Sequence, residues 1–313
     1  MMVLCTGLLI GCDKDNDENK PVKPPVEEPN EPERVPSTDD IIKTKIGGIY
    51  MIIGSNIWRY VTYGNGRIIA VGDNGYITTS VNGVTWTPPK QLGTNTWSSI
   101  TYGNGKFVMT GGNDNISYVT TSTDGITWTT PKQIGTYVFH VTYGNGKFVA
   151  AGSFGYTSTS TDGITWTTPK QIGIKPWWNI TYNNEKFVAV GTGGSISTSI
   201  DGVTWTTPIY INNTCVWMGV TYGNKKFVTV GGNGTYGYIT TSTDGITWTT
   251  PKQVGMTPYW RCVTYSNGNF VAVGNNGYIT TSIDGVNWTT PEQIKDESGK
   301  LITTFLHGVC AMP

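Results

Sequence analysis

The chain has 313 residues, with 21 basic side chains balancing 21 acidic ones, 41 glycines, 12 tryptophans and only two histidines. Glycine at 41 of 313, against a usual share of roughly 7%, argues with the tryptophan load against a helical bundle and against a disordered chain. Balanced charge argues against a nucleic-acid binder that relies on an overall basic surface, and no run of about 18 apolar residues is present to make a spanning helix.

In chain order, residues 1–12 read MMVLCTGLLIGC, an apolar stretch ending Leu9-Ile10-Gly11-Cys12. This resembles the lipobox of bacterial lipoproteins, in which the cysteine after a small residue is acylated and becomes the mature N-terminus. A secretory signal normally opens with basic residues and has a longer apolar region, so the expectation is a lipoprotein signal trimmed or started late, with Cys12 as the lipidation site. The following Asp13-Lys14-Asp15-Asn16-Asp17-Glu18 is similar to the acidic export tag of Bacteroidetes surface lipoproteins. The resemblance implies an outer-membrane, lipid-anchored and surface-exposed protein.

Residues 13–40 hold six prolines, ten acids and four bases with almost nothing apolar, a composition that cannot bury a core. They are expected to form an extended stalk, and they leave the rest of the chain with 17 bases against 11 acids. Residues 41–313 are therefore mildly basic, a weak pointer towards acidic ligands.

From residue 57 the chain repeats itself six times. Each copy runs W-x-x-V-T-Y-G-N-G-K-F-V-A-V-G, a variable turn, then Y-I-T-T-S-x-D-G-x-T-W-T-T-P-K-Q, with tyrosines at Tyr63, Tyr102, Tyr143, Tyr182, Tyr222 and Tyr265. A period of about 40 is that of a four-stranded blade. Val-Thr-Tyr and Phe-Val-Ala-Val read as strands joined by an Asn-Gly hairpin. Ile-Thr-Thr-Ser and Thr-Trp-Thr read as the third and fourth strands, joined across Asp-Gly. The expected fold is all-β, a β-propeller. The remnants at 41–56 and 298–313 favour a seventh blade closed by both termini, with a six-bladed ring carrying decorated ends as the alternative.

The second hairpin resembles the Asp-box, or BNR, repeat of sialidase-like propellers. It stands as STDGITW at 122–128, 160–166 and 242–248, SIDGVTW at 199–205, SIDGVNW at 282–288, and SVNGVTW at 80–86. This version is one residue shorter between Asp and Gly than the usual sialidase box. The resemblance implies a structural turn, with Asn82, Asp124, Asp162, Asp201, Asp244 and Asp284 accepting backbone N–H groups and the tryptophan packing between hairpins.

Chemistry is harder to find. Sialidases need three arginines, a Tyr–Glu pair and an acidic Asp, whereas the repeat region has only Arg59, Arg67 and Arg261, with Arg67 in the hairpin-lysine position. No pair of carboxylates across one cleft can be assembled for a glycosidase. His140 and His307 have no carboxylate in matching register, so neither a triad nor a metal cluster is expected. No cofactor is implied. Cys215, Cys262 and Cys310 are read as buried thiols rather than a disulfide with one left over.

A residue repeated in every blade serves packing, so Trp58, Trp97, Trp177, Trp217 and Trp260 are assigned to the core. A ligand site must break the repeat. Two positions before the first-strand valine the series runs Arg59, Ser98, Phe139, Trp178, Met218, Arg261, with His307 in the C-terminal remnant. With His140 and Tyr259 these make the candidate ligand-binding set: Arg59, Phe139, His140, Trp178, Tyr259, Arg261 and His307. Under seven-bladed closure the two arginines and His307 form a cationic patch beside aromatics, suited to a carboxylate, sulfate or phosphate. The expected function is a lipid-anchored binding module for an acidic glycan or other anionic ligand. Its alternatives are a protein-interaction scaffold in the envelope and, less favoured, a divergent glycoside hydrolase. Its expected partners are the membrane, through the anchor, and a glycan or protein ligand.

Overall fold

The computed structural model describes residues 45–46, 49–52, 58–113, 116–135, 138–257, 259–296 and 299–311. Cys12, the signal at 1–12 and the stalk at 13–40 lie outside the described residues. The rest is all-β: six antiparallel sheets of four strands, each sheet built from one sequence repeat. Blade 1 comprises Trp58–Gly64, Arg67–Gly72, Tyr76–Ser80 and Lys90–Gln91. Blade 6 comprises Trp260–Ser266, Asn269–Gly274, Tyr278–Ser282 and Glu292–Gln293. At the first hairpin the backbone turns through Asn65 (φ 46°) and Gly66 (φ 71°), the positive-φ pair of a two-residue turn.

Two expectations are corrected. The propeller has six four-stranded blades, not the favoured seven. Among the described residues the termini supply three strands, Lys45–Ile46, Ile49–Ile52 and Gly308–Ala311, and Ile49–Ile52 pairs directly with Gly308–Ala311. Among the described residues this sheet has no fourth strand, whereas every repeat supplies four. This terminal sheet lies between blades 6 and 1, its strand Gly308–Ala311 packing on the first strands of both.

The second correction concerns the fourth strand, which is Lys-Gln and not Thr-Trp-Thr: Tyr76 pairs with Gln91 and Ile77 with Lys90. Proline explains the delay. Pro88 and Pro89 have no N–H to give a ladder, so after one backbone bond, from Thr87 N to the Thr79 carbonyl at 2.9 Å, threonine hydroxyls help to hold the chain. Thr78 Oγ1 donates to the Thr87 carbonyl at 2.6 Å, and Thr87 Oγ1 accepts from Thr79 N at 3.1 Å.

The Asp-Gly turns share one geometry. Asp124 Oδ1 accepts from Ile126 N and Thr127 N at 2.8 Å each, while Ser122 Oγ accepts from Gly125 N at 2.7 Å. Asn82 does the same with its amide oxygen, at 2.9 and 2.8 Å to Val84 N and Thr85 N. These turns latch onto the preceding blade's hairpin: Asn65 Nδ2 donates to the Thr123 carbonyl and Lys106 Nζ to the Asp162 carbonyl.

The core lies between blades. Ile69, Val71 and Ile77 of blade 1 pack with Trp97, Ile100, Phe107 and Met109 of blade 2, and the junction between blades 3 and 4 repeats the arrangement around Trp177 and Phe187. The five first-strand tryptophans are fully buried. Cys215, Cys262 and Cys310 are free and buried.

Candidate functional site

The first strand of every blade carries an irregularity at the same place. In blade 1 the pairing runs Trp58 with Gly72 and then Tyr60 with Val71, so Arg59 is the extra residue of a β-bulge. The corresponding bulge residues are Ser98, Phe139, Trp178, Met218 and Arg261. A bulge leaves its residue unpaired and re-aims the side chain. The non-repeating series in the sequence is therefore the series of bulge residues.

Five of them converge. Arg59, Ser98, Trp178, Met218 and Arg261 line one cavity of about 340 Å³, joined by His307 from the C-terminal segment. The residues that follow three of the bulges, Tyr60, His140 and Asn179, line it too, as does Thr96. Of the residues expected at the site, Arg59, His140, Trp178, Arg261 and His307 are thus brought together. Phe139's side chain lies outside what the structure describes, and Tyr259, half-buried in the loop entering blade 6, is not among the lining residues. Sequence reasoning passed over Tyr60 and Asn179. Their signal is the next position along, which reads Tyr60, Ser99, His140, Asn179, Gly219, Cys262 and never repeats.

His140 and Asn179 are both buried, and Asn179 Nδ2 lies 3.2 Å from His140 Nε2. Tyr60 meets the His140 ring edge-on at 4.7 Å. Burial pushes the Tyr60 hydroxyl far above its ordinary range and brings His140 down to about 3, so both are neutral.

The two arginines differ. Arg59 forms a two-point ion pair with Asp73, Nε to Oδ1 at 2.8 Å and Nη2 to Oδ2 at 2.6 Å. Arg261 has an asparagine in the equivalent loop position, and its Nε donates to Asn275 Oδ1. Its guanidinium also lies 4.4 Å over the Phe305 ring. Among the described residues no carboxylate forms an ion pair with Arg261. Burial first, and then the Arg59 charge, bring its pKa down to about 10, so it stays charged. His307, desolvated and then repelled by Arg261 and Arg59, is brought down to about 3.

Among the described residues the cavity therefore carries one positive charge with no carboxylate partner. Trp178, 38% exposed, also lines it, its indole nitrogen fixed by a 2.8 Å hydrogen bond to Thr192 Oγ1. Among the described residues none that lines the cavity is a carboxylate. Among the described residues no cluster of three His, Cys, Asp or Glu side chains could hold a metal ion.

Several solved structures are similar to this one. Virginiamycin B lyase from Staphylococcus aureus matches with a TM-score of 0.65 and 14% identity, over 79% of this chain and 88% of that one. YCF48 bound to D1 peptide matches with a TM-score of 0.56 and 18% identity, over 77% and 84%. The WD40 propeller domain of Doa1 matches with a TM-score of 0.56 and 12% identity, over 82% and 92%. No family model and no curated protein matches the chain. The Asp-box resemblance accordingly stands on the motif alone, and what these likenesses establish is the β-propeller fold.

Proposed function

We propose that the chain is a binding module, carried at the bacterial outer surface by a lipid on Cys12 and an extended stalk, that takes an acidic glycan group in its central cavity. One observation carries this reading: Arg261 lines the cavity charged and without a carboxylate partner, and a desolvated cation of that kind favours an anion. Trp178 supplies an aromatic face on which a sugar ring can stack, and 340 Å³ is at the small end of ligand pockets. A glycoside hydrolase is the less favoured reading, because glycoside hydrolysis needs two carboxylates and none lines the cavity among the described residues.

The test is calorimetry of the full chain against neutral, uronate-bearing, sulfated and phosphorylated glycans at about 50 and about 300 mM salt. Acidic glycans are expected to bind selectively and more weakly at high salt, and Arg261→Ala to weaken them at least about tenfold, or about 1.4 kcal/mol. Failure of every acidic glycan to bind would sink the proposal.

Affinity for a permanently charged anion is also expected to be flat between about pH 5 and about 8. Arg261 titrates near 10, and His140 and His307 near 3, all outside that window. A tightening on acidification would show that a histidine charges within the window, contrary to this account.

A second reading has its own support. The similar YCF48 structure holds a peptide, and a peptide carboxylate would meet the same guanidinium. Under that reading the chain is an interaction scaffold in an envelope complex, and cross-linking at the cell surface would identify its protein.

A further inference from the structure

Blades 1 and 6 place an arginine on the same bulge and a partner in the same loop, yet they differ by one functional group. In blade 1 the partner is Asp73, whose two oxygens take two donors of Arg59. In blade 6 it is Asn275, whose single oxygen takes Nε of Arg261. An amide has no second oxygen to accept from the outer nitrogens. Among the described residues nothing else accepts from Nη1 or Nη2 of Arg261. The same construction is thus closed in blade 1 and left open by one acceptor, and by the charge that goes with it, in blade 6, in the wall of the central cavity.

We propose that the cavity binds the carboxylate of a uronic acid-type sugar, held end-on by Nη1 and Nη2 of Arg261 and supplying the charge that Asp73 supplies to Arg59. This rests on the reading of the chain as an anionic-glycan module and narrows it to one acid. The guanidinium fork matches a planar pair of oxygens. A sulfate ester spreads its one charge over three oxygens where Arg261 offers a fork for two. A phosphate monoester brings close to two charges. With Arg59 already paired and both histidines neutral, the second would be buried without a counter-charge. The remainder of the wall suits a sugar ring, since Trp178, the hydroxyl-bearing Thr96 and Ser98 and the amide-bearing Asn179 also line the cavity.

Asn275→Asp tests this inside the existing architecture, because it rebuilds in blade 6 the pair that blade 1 already holds. The full chain would be titrated with D-glucuronate, glucose 6-sulfate, glucose 6-phosphate, glucose and an acetylated glutamate amide. Wild type is expected to bind glucuronate at least tenfold more tightly than the other four. Asn275→Asp should weaken glucuronate at least tenfold while its Tm holds or rises. Asp73→Asn, which opens the second fork, should tighten glucuronate at least threefold, and it decides the matter if Asn275→Asp fails to fold.

Glucuronate affinity unchanged in a folded Asn275→Asp, or in Asp73→Asn when the other variant is unfolded, would overturn the proposal. So would equal or tighter binding of the sulfate or phosphate ester, which would leave the wider anionic-glycan reading standing. Tighter binding of the glutamate amide would overturn the sugar in favour of a peptide. No binding by any acid would overturn the anionic-glycan reading itself.

Discussion

Acidification from about pH 5 to about pH 2 is expected to cost the fold roughly 2–3 kcal/mol through its Asp-Gly turns, on top of any general acid effect. Five aspartates repeat one hydrogen-bond pattern, each Oδ1 accepting two backbone N–H groups. For Asp124 the Ile126 and Thr127 N–H groups hold the carboxyl down to about 2. Asp162, Asp201 and Asp244 are likewise brought to about 2, in each case chiefly by the backbone N–H three residues on, and Asp284 is lowered further by Asn287. A depressed carboxyl stabilises the fold above its unfolded pKa and ceases to do so as pH falls through the folded one. The window is therefore from about 4 down to about 2.

A shift of about two pKa units would carry about 2.7 kcal/mol if undamped. These turns face solvent, so screening reduces each to about 0.5 kcal/mol. Blade 1 supplies the control, since Asn82 makes the same two bonds without a titrating group. Changing all five aspartates to asparagine should leave a folded protein whose urea midpoint is flatter between pH 5 and pH 2 than wild type. Equal slopes would show that the turns do not carry the acid sensitivity.

The blades were legible because each repeat states its strands locally, through β-branched runs and Asn-Gly and Asp-Gly turns. The fourth strand was misplaced by one short segment because the Thr-Trp-Thr run has strand composition. What moves the ladder on to Lys-Gln is proline's missing N–H together with hydroxyl bonds from Thr78 and Thr87. Blade number failed for a non-local reason. Whether Ile49–Ile52 belongs to a complete sheet depends on what the far end of the chain brings beside it, and Gly308–Ala311 brings one strand. The site was half legible: broken symmetry picked out Arg59, Trp178, Arg261 and His307, but symmetry cannot tell a neutralised charge from a free one. Asp73 and Asn275 made that difference, and both sit in a loop whose register with the bulge appears only in the fold.

Gly103→Ala is expected to lower stability by about 1–3 kcal/mol, the usual range for forcing extra volume into a packed contact. Its Cβ would fall 2.1 Å from Cγ of Tyr143 in the next blade and 2.5 Å from that residue's Cβ. The ring cannot simply retreat, because it packs on Phe148 with centroids 4.8 Å apart. Gly64, Gly144 and Gly223 meet Tyr102, Tyr182 and Tyr265 in the same way, so the Tyr-Gly pair of each repeat sets how closely successive blades approach. Blade 4 departs with Asn183, an exposed residue, where the others have glycine or, in blade 6, Ser266. A junction can therefore adapt when the side chain finds solvent, which places the cost in the lower part of the overpacking range if the new methyl group at position 103 follows suit.

Gly105→Ala separates the two ways a glycine can matter. Gly105 has φ 72° and open space around it, so alanine there strains only the backbone, by about 1–2 kcal/mol. Adding Tyr143→Ala should relieve Gly103→Ala and leave Gly105→Ala unaffected, a coupling that a double-mutant cycle on chemical denaturation reads directly. Simple additivity at both glycines would mean that the tyrosine is not what holds position 103 to glycine. Relief at Gly103 alone would make the spacing between blades a property of this one repeated contact, and with it the separation of the first strands whose bulge residues surround the cavity.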